Sequence, residues 1–225
     1  MNGMYDALVR WFQRPWFYPL AKAVFRIAAR ILWGIRVQDA HLVPREGPLI
    51  VASNHIGTLD PPVLGTEVPR HISYMAKKEL FEKRLPNLVF RGVSAFPVDR
   101  GRSDVSAIKE ALRRLKDGDA IGIFIQGTRN QGDAEALDGA AFLAQRAKAP
   151  IQPAAIWREG RRFHVRFGEP FMVEGRDRAA MREATATTMR RINDLLPEAS
   201  ALRPPERGEA PEDLPAAETV GQDRS

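Results

Sequence analysis

Two residues in Leu49-Ile50-Val51-Ala52-Ser53-Asn54-His55-Ile56-Gly57-Thr58-Leu59-Asp60 have the types and spacing to move a proton. An imidazole titrates near neutrality and can take a proton from a hydroxyl. A carboxylate on its other nitrogen fixes the tautomer and stabilises the charged form. His55 as base and Asp60 as orienter would make such a pair. The plainer reading is a hydrogen-bonded loop histidine beside an aspartate that caps a helix, and two-residue motifs recur by chance. The two roles of Asp60 are compatible.

The flanking residues position this pair. The apolar run from Leu49 is short enough for a buried strand, and it stops at polar residues. Asp60 is followed by Pro61 and Pro62. Aspartate suits a helix cap and proline the first helical turn, so a helix is predicted to start here. His55 then falls between a strand end and a helix start, where α/β folds commonly place chemistry.

Further along, His71–Ala76 reads as a strand, and Lys77-Lys78-Glu79-Leu80-Phe81 opens a helix expected to run toward Phe90. Gly92–Arg100 holds a short strand that ends in cations. The next helix carries Val105, Ile108, Leu112 and Leu115 at helical spacing, with Gly118 closing it. Ala120–Ile125 is a buried strand ending in Gln126-Gly127-Thr128-Arg129, where backbone amides, a hydroxyl and a guanidinium suit a phosphate. A helix from about Gly139 to Lys148, a strand over Pro150–Trp157, an edge strand over Phe163–Phe167 and a last amphipathic helix follow. Alternating strands and helices predict an α/β fold with a largely parallel central sheet flanked by helices. Three strand ends then offer His55, Arg100 and Gly127-Thr128-Arg129 around one expected pocket.

Composition narrows the function classes. With 225 residues, 44% hydrophobic and 28% charged, the chain is globular rather than membrane-filling. No uncharged apolar run approaches the roughly 20 residues that span a bilayer, and arginines interrupt the early apolar stretch where a secretory signal would lie. Zero cysteines exclude disulfides, thiolate metal sites and a cysteine nucleophile. From Pro197 onward seven acidic residues face three arginines, net −4. This leaves +10 on residues 1–196 of a total of +6. A basic body implies an anionic partner: a phosphorylated ligand, an anionic lipid surface or nucleic acid. Nucleic acid fits poorly, because no reading element interleaves the cations.

Residues 1–38 mix Trp11, Phe12, Trp16 and Phe17 with Arg10, Arg14, Lys22, Arg26 and Arg30, the cations at intervals of four or eight. Pro15 and Pro19 are expected to break this into two helices. Aromatics opposite a basic stripe describe a helix in the membrane interface. The alternative is an ordinary amphipathic helix packed on the core with its arginines in water.

The ordered motifs resemble those of the 1-acylglycerol-3-phosphate acyltransferase family. Asn54-His55, then four intervening residues and Asp60, is similar to its first motif. Phe96-Pro97-Val98-Asp99-Arg100 resembles its second, Phe124-Ile125-Gln126-Gly127-Thr128-Arg129 its third, and Pro150-Ile151-Gln152-Pro153 its fourth. The resemblance runs from about Val43 to Phe171. It implies transfer of a fatty acyl group from acyl-CoA or acyl-carrier protein to a lysophospholipid hydroxyl, with His55 and Asp60 catalytic. It also implies substrate contacts at Asn54, Lys77, Arg100, Gln126, Gly127, Thr128 and Arg129, and neither metal nor cofactor. Ile125 and Gln126 stand where the family usually has proline and glutamate, and Asp138 where lysine is common. Those departures fall on the acceptor side and open other lyso-lipids or a glycolipid as acceptors.

Three segments are expected: 1–38 as membrane-associating helices, 39–196 as the acyltransferase domain, and 197–225 as a disordered acidic, proline-rich tail. The expected location is the cytoplasmic face of the cell membrane, peripheral or monotopic. A reading from another class is a non-catalytic basic protein that binds membranes. His41, His71 and His164 lack a carboxylate at a comparable turn and read as structural or surface residues.

Overall fold

The computed structural model describes residues 16–82, 94–98, 105–126 and 131–198. Seven strands form one sheet: β1 (Arg36–Gln38), β2 (Leu49–His55), β3 (Ile72–Lys77), β4 (Phe96–Val98), β5 (Ala120–Gln126), β6 (Ile151–Glu159) and β7 (Arg162–Phe167). Their spatial order is β1-β7-β6-β2-β5-β3-β4. The strands from β6 across to β4 are mutually parallel. β7 runs against β6, and β1 pairs parallel with β7. The short β1, rather than β7 as the sequence predicted, is therefore the sheet edge on that side. Three residues with only Val37 partly covered leave too weak a pattern to be read as a strand.

Among the described residues five helices cover the sheet: α1 (Phe17–Trp33), α2 (Asp60–Glu67), α3 (Val105–Lys116), α4 (Gln131–Ala147) and α5 (Arg178–Leu195). Ile50 and Ala52 of β2 join Ile121, Ile123, Ile151 and Trp157 on the face packed by α3, α4 and α5. Leu49 and Val51 join Ile72, Tyr74, Ala154 and Ile156 on the face packed by Ala29 of α1 and Val63 and Leu64 of α2. A strand buried on both faces reads as a continuous apolar run, which is why β2 was visible in the sequence. Strand alternation puts His55 on the α1–α2 face with Leu49 and Val51.

Several boundaries moved. Pro19 does not break a helix: it sits in the first turn of α1, where an N–H has no intrahelical partner to lose. The first of the two expected helices lies outside the described residues. α4 begins at Gln131, eight residues earlier than predicted. The segment after β3 is a single 3-10 turn over Lys78–Phe81, and its expected continuation toward Phe90 lies outside the described residues. Among the described residues no helix is long and apolar enough to cross a membrane.

Candidate active site

His55 is the last residue of β2 and Asp60 the first of α2. The cap position belongs to Leu59, which makes no side-chain capping bond. The Asp60 carboxylate instead turns back over the intervening loop. Its Oδ2 lies 2.6 Å from His55 Nδ1 and accepts the backbone N–H groups of Ile56 (2.5 Å) and Gly57 (2.8 Å). Of the two roles offered by the sequence, orienter and helix cap, the geometry realises the first. The Asp60 residue is 0% exposed, while the histidine side chain is 23% exposed. An oxygen that already accepts two N–H groups takes the Nδ1 proton as its third donor. His55 Nε2 is then the nitrogen whose lone pair is free to accept a proton.

The imidazole rests on an aromatic stack. The Phe124 ring of β5 lies 5.0 Å from that of His55, and Tyr74 of β3 stacks on Phe124 at 5.6 Å and 22°. Tyr74 fits because Gly122 has no side chain: a Cβ there would stand 2.2 Å from Tyr74 Cε1. On the helix side a Cβ on Gly65 of α2 would meet the Tyr74 hydroxyl at 3.1 Å. Sequence reasoning missed Phe124, Tyr74 and Gly122 as supports of the base. The available signal was a lone glycine inside an apolar strand run, which marks a close approach.

Asn54 was expected at the substrate. It is 2% exposed, and its amide is engaged with the backbone of β6. Its Nδ2 donates to the Ile156 carbonyl (2.7 Å), and its Oδ1 accepts the Ile156 N–H (2.8 Å). The β2–β6 ladder ends at Ser53 and Ala154. Asn54 extends that pairing by a side chain and fixes the residue before the base. It is a positioning residue.

The other expected contacts converge only as far as the backbone is described. Gln126 ends β5 directly beside His55, and Lys77 ends β3 beside Val98 of β4; the side chains of both lie outside what the structure describes. Arg100, Gly127, Thr128 and Arg129 lie outside the described residues. Asp138, which the sequence placed on the acceptor side, has its Oδ1 accepting the Thr185 hydroxyl of α5 at 2.8 Å, at the α4–α5 contact. Among the described residues no group of His, Asp and Glu is placed to hold a metal ion.

Residues 34–157, which include the whole His55–Asp60 loop, match the Acyltransferase family. The chain belongs to the acyltransferase family. It is 35% identical over 139 residues to the 1-acyl-sn-glycerol-3-phosphate acyltransferase of Bacillus subtilis, covering 61% of this chain and 70% of that protein. It is 40% identical over 86 residues to the enzyme of the same name from Streptococcus pneumoniae, covering 38% of this chain and 32% of that protein. Its fold resembles the crystal structure of the 1-acyl-sn-glycerophosphate acyltransferase PlsC from Thermotoga maritima. That match has a TM-score of 0.63 at 20% identity, covering 85% of this chain and 88% of the other.

In this acyltransferase, α1 lies on the His55 face of the sheet, where it turns cations as well as Phe25, Ala29 and Trp33 toward the protein. The Glu67 carboxylate of α2, 0% exposed, meets Arg26 Nη2 at 3.2 Å and Arg30 Nη2 at 3.1 Å. Lys22 Nζ donates to the carbonyls of Val68 (2.5 Å) and Arg70 (2.9 Å), just past the end of α2. Burial, with Arg26 beside it, lowers the Lys22 ammonium to about 8. The Tyr18 hydroxyl bonds the backbone of Ile72. The basic stripe therefore runs along the edge of the helix–protein contact, with Lys22 turned inward and the Arg26 and Arg30 guanidiniums about half exposed. Trp16, Leu20, Val24, Ile27 and Ile31 recur at intervals of four, four, three and four on the outer side, with Ile31 78% exposed.

Proposed function

We propose that this acyltransferase transfers a fatty acyl group from an acyl thioester to 1-acyl-sn-glycerol-3-phosphate, giving phosphatidic acid. The observation that carries the reading is the 2.6 Å contact of His55 Nδ1 with a buried Asp60 oxygen also held by two backbone amides. His55 Nε2 takes the proton of the acceptor hydroxyl, whose oxygen attacks the thioester carbonyl. The carbon–sulfur bond breaks, and the leaving thiolate recovers the proton from the imidazolium. The Asp60 charge stabilises that imidazolium while it lasts, without itself taking the proton.

The names of the Bacillus and Streptococcus relatives supply the acceptor. The bond between Asp138 and Thr185 gives that departure from the family pattern a structural role of its own, at the α4–α5 contact. Gln126 carries a second reading: a different lyso-lipid or glycolipid hydroxyl. The donor is acyl-CoA or acyl-carrier protein. Arg100, Gly127, Thr128 and Arg129, with Lys77, are assigned to the acceptor phosphate from the family pattern. We further assign the protein to the cytoplasmic face of the cell membrane as a peripheral or monotopic enzyme, because the outward apolar stripe of α1 suits the interface between headgroups and acyl chains.

The test is thiol release from palmitoyl-CoA and palmitoyl-carrier protein in detergent, across a panel of lysophospholipid and glycolipid acceptors, for the wild type and His55→Ala. Release that depends on lysophosphatidic acid and disappears in the variant is the expected result. Release with a different acceptor alone would replace the substrate. Silence of the folded protein across both donors and all acceptors would end the reading.

A further inference from the structure

A helix that lies in a membrane interface ordinarily takes its headgroup contacts from cations on its own polar face. In α1 these cations are engaged elsewhere: Lys22 on carbonyls, Arg26 and Arg30 on the buried Glu67. Arg26 and Arg30 stay about half exposed, but both are already paired with Glu67, so the unpaired cations beside the outer stripe of α1 lie on another element.

The β6–β7 hairpin supplies them. Arg158 ends the inward-alternating series Ala154, Ile156 and Arg158 on β6, so it projects on the same sheet face as α1 and His55. Its guanidinium lies 4.9 Å over the ring of Phe163, which in turn contacts Trp33 at the end of α1. Arg161, at the turn, reaches the Leu32 carbonyl at 3.5 Å, beside the exposed Ile31 and Leu32. The acid of the hairpin is drawn away from them: Glu159 accepts Trp157 Nε1 (3.2 Å) and lies 3.3 Å from His164 Nε2. Among the described residues no carboxylate pairs with Arg158 or Arg161, and both are exposed. The hairpin also stands at the catalytic end of the sheet. Continuing the β2–β6 register puts Ile156 level with His55, and three further strand positions carry Glu159 roughly 10 Å beyond it.

We propose that Arg158 and Arg161 form an anionic-headgroup contact that works with the apolar stripe of α1 to seat the acyltransferase on negatively charged phospholipid bilayers. The contact deepens, and rests on, the membrane assignment made above. α1 supplies depth, and the hairpin supplies the preference for negative charge beside the mouth of the site.

The experiment measures partition of the full chain onto vesicles of phosphatidylcholine alone and of phosphatidylcholine with phosphatidylglycerol. It compares the wild type, Arg158→Gln with Arg161→Gln, and Arg182→Gln on α5 as a control from the opposite face. Each arginine near an anionic surface contributes about fivefold, so the double variant should lose roughly tenfold or more of the preference for charged vesicles. Binding to neutral vesicles and acyl transfer in detergent should stay at the wild-type level, and Arg182→Gln should behave as wild type. An undiminished preference in the double variant overturns the proposal. A rise in KM confined to the carrier-protein donor, with vesicle binding unchanged, would assign the arginines to that acidic protein and also overturn it. Full activity in detergent with no vesicle binding by the wild type would remove the membrane assignment while leaving the chemistry intact.

Discussion

Arg30 and Glu67 meet across 37 positions of sequence at 3.1 Å, and the carboxylate in this pair has no solvent contact while the guanidinium is half exposed. The asymmetry sets the cost of breaking the contact from either side. Removing Glu67 leaves two arginines that water can reach. Removing Arg26 and Arg30 leaves a buried charge with its strongest partners gone. Glu67→Gln should therefore cost about 1 kcal/mol, and Arg26→Ala with Arg30→Ala about 3 kcal/mol, by urea unfolding in detergent. Equal costs would mean that the carboxylate is hydrated once α1 loosens.

Lys22 gives the same helix a pH signature. Its folded-state value of about 8 lies below the 10.5 of the free side chain. Between those values the unfolded chain binds a proton that the folded chain does not, so this group makes stability rise with pH. Its penalty is complete below pH 8. Lys22→Met should abolish that rise. Urea midpoints of both proteins on either side of pH 8, kept below the range where tyrosines ionise, decide the point.

Asp60→Asn tests the catalytic pair with little change of shape. A neutral amide cannot stabilise the imidazolium, and it can present the wrong group to Nδ1. A loss of kcat of about 10³ to 10⁴, the size seen for the corresponding change in a serine-protease triad, is expected with the fold retained. A kcat within tenfold of wild type would reduce Asp60 to a loop residue.

Gly122 and Tyr74 should behave as a unit. Gly122→Ala drives a methyl into the Tyr74 ring, costs about 1 to 3 kcal/mol and disturbs the stack under His55, lowering kcat as well. Adding Tyr74→Leu should restore part of both losses, a coupling that a double-mutant cycle measures. Tyr74→Phe alone removes a buried hydroxyl that has no hydrogen-bond partner among the described residues. It should leave stability unchanged or raise it by up to about 1 kcal/mol.

The His55–Asp60 pairing and most of the strands were legible because each has a local signature: a polar stop after an apolar run, a proline in a first helical turn, a glycine after a helix. The direction in which α1 faces was not. Cations four residues apart define a stripe, but the same stripe can face water or a buried carboxylate, and Glu67 looks like any acidic residue near a helix end. The aromatic stack was hidden for a related reason. Phe124 and Tyr74 read as ordinary strand residues until the register brings β3, β5 and β2 side by side. The Asp138–Thr185 bond was hidden because α4 starts earlier than predicted, which puts Asp138 inside the helix rather than before it.

The place of β2 in the sheet bears on how this enzyme would fail under heat. β2 has a strand on each side and helices on both faces, so its amides have no short route to solvent and should exchange hydrogen only when the whole domain opens. The base is therefore carried by one of the last segments to loosen, whereas α1 and the β6–β7 hairpin sit at the periphery. On the membrane seat proposed above, warming should free the enzyme from the bilayer before it disturbs His55, and turnover on a dispersed substrate should outlast turnover on a bilayer.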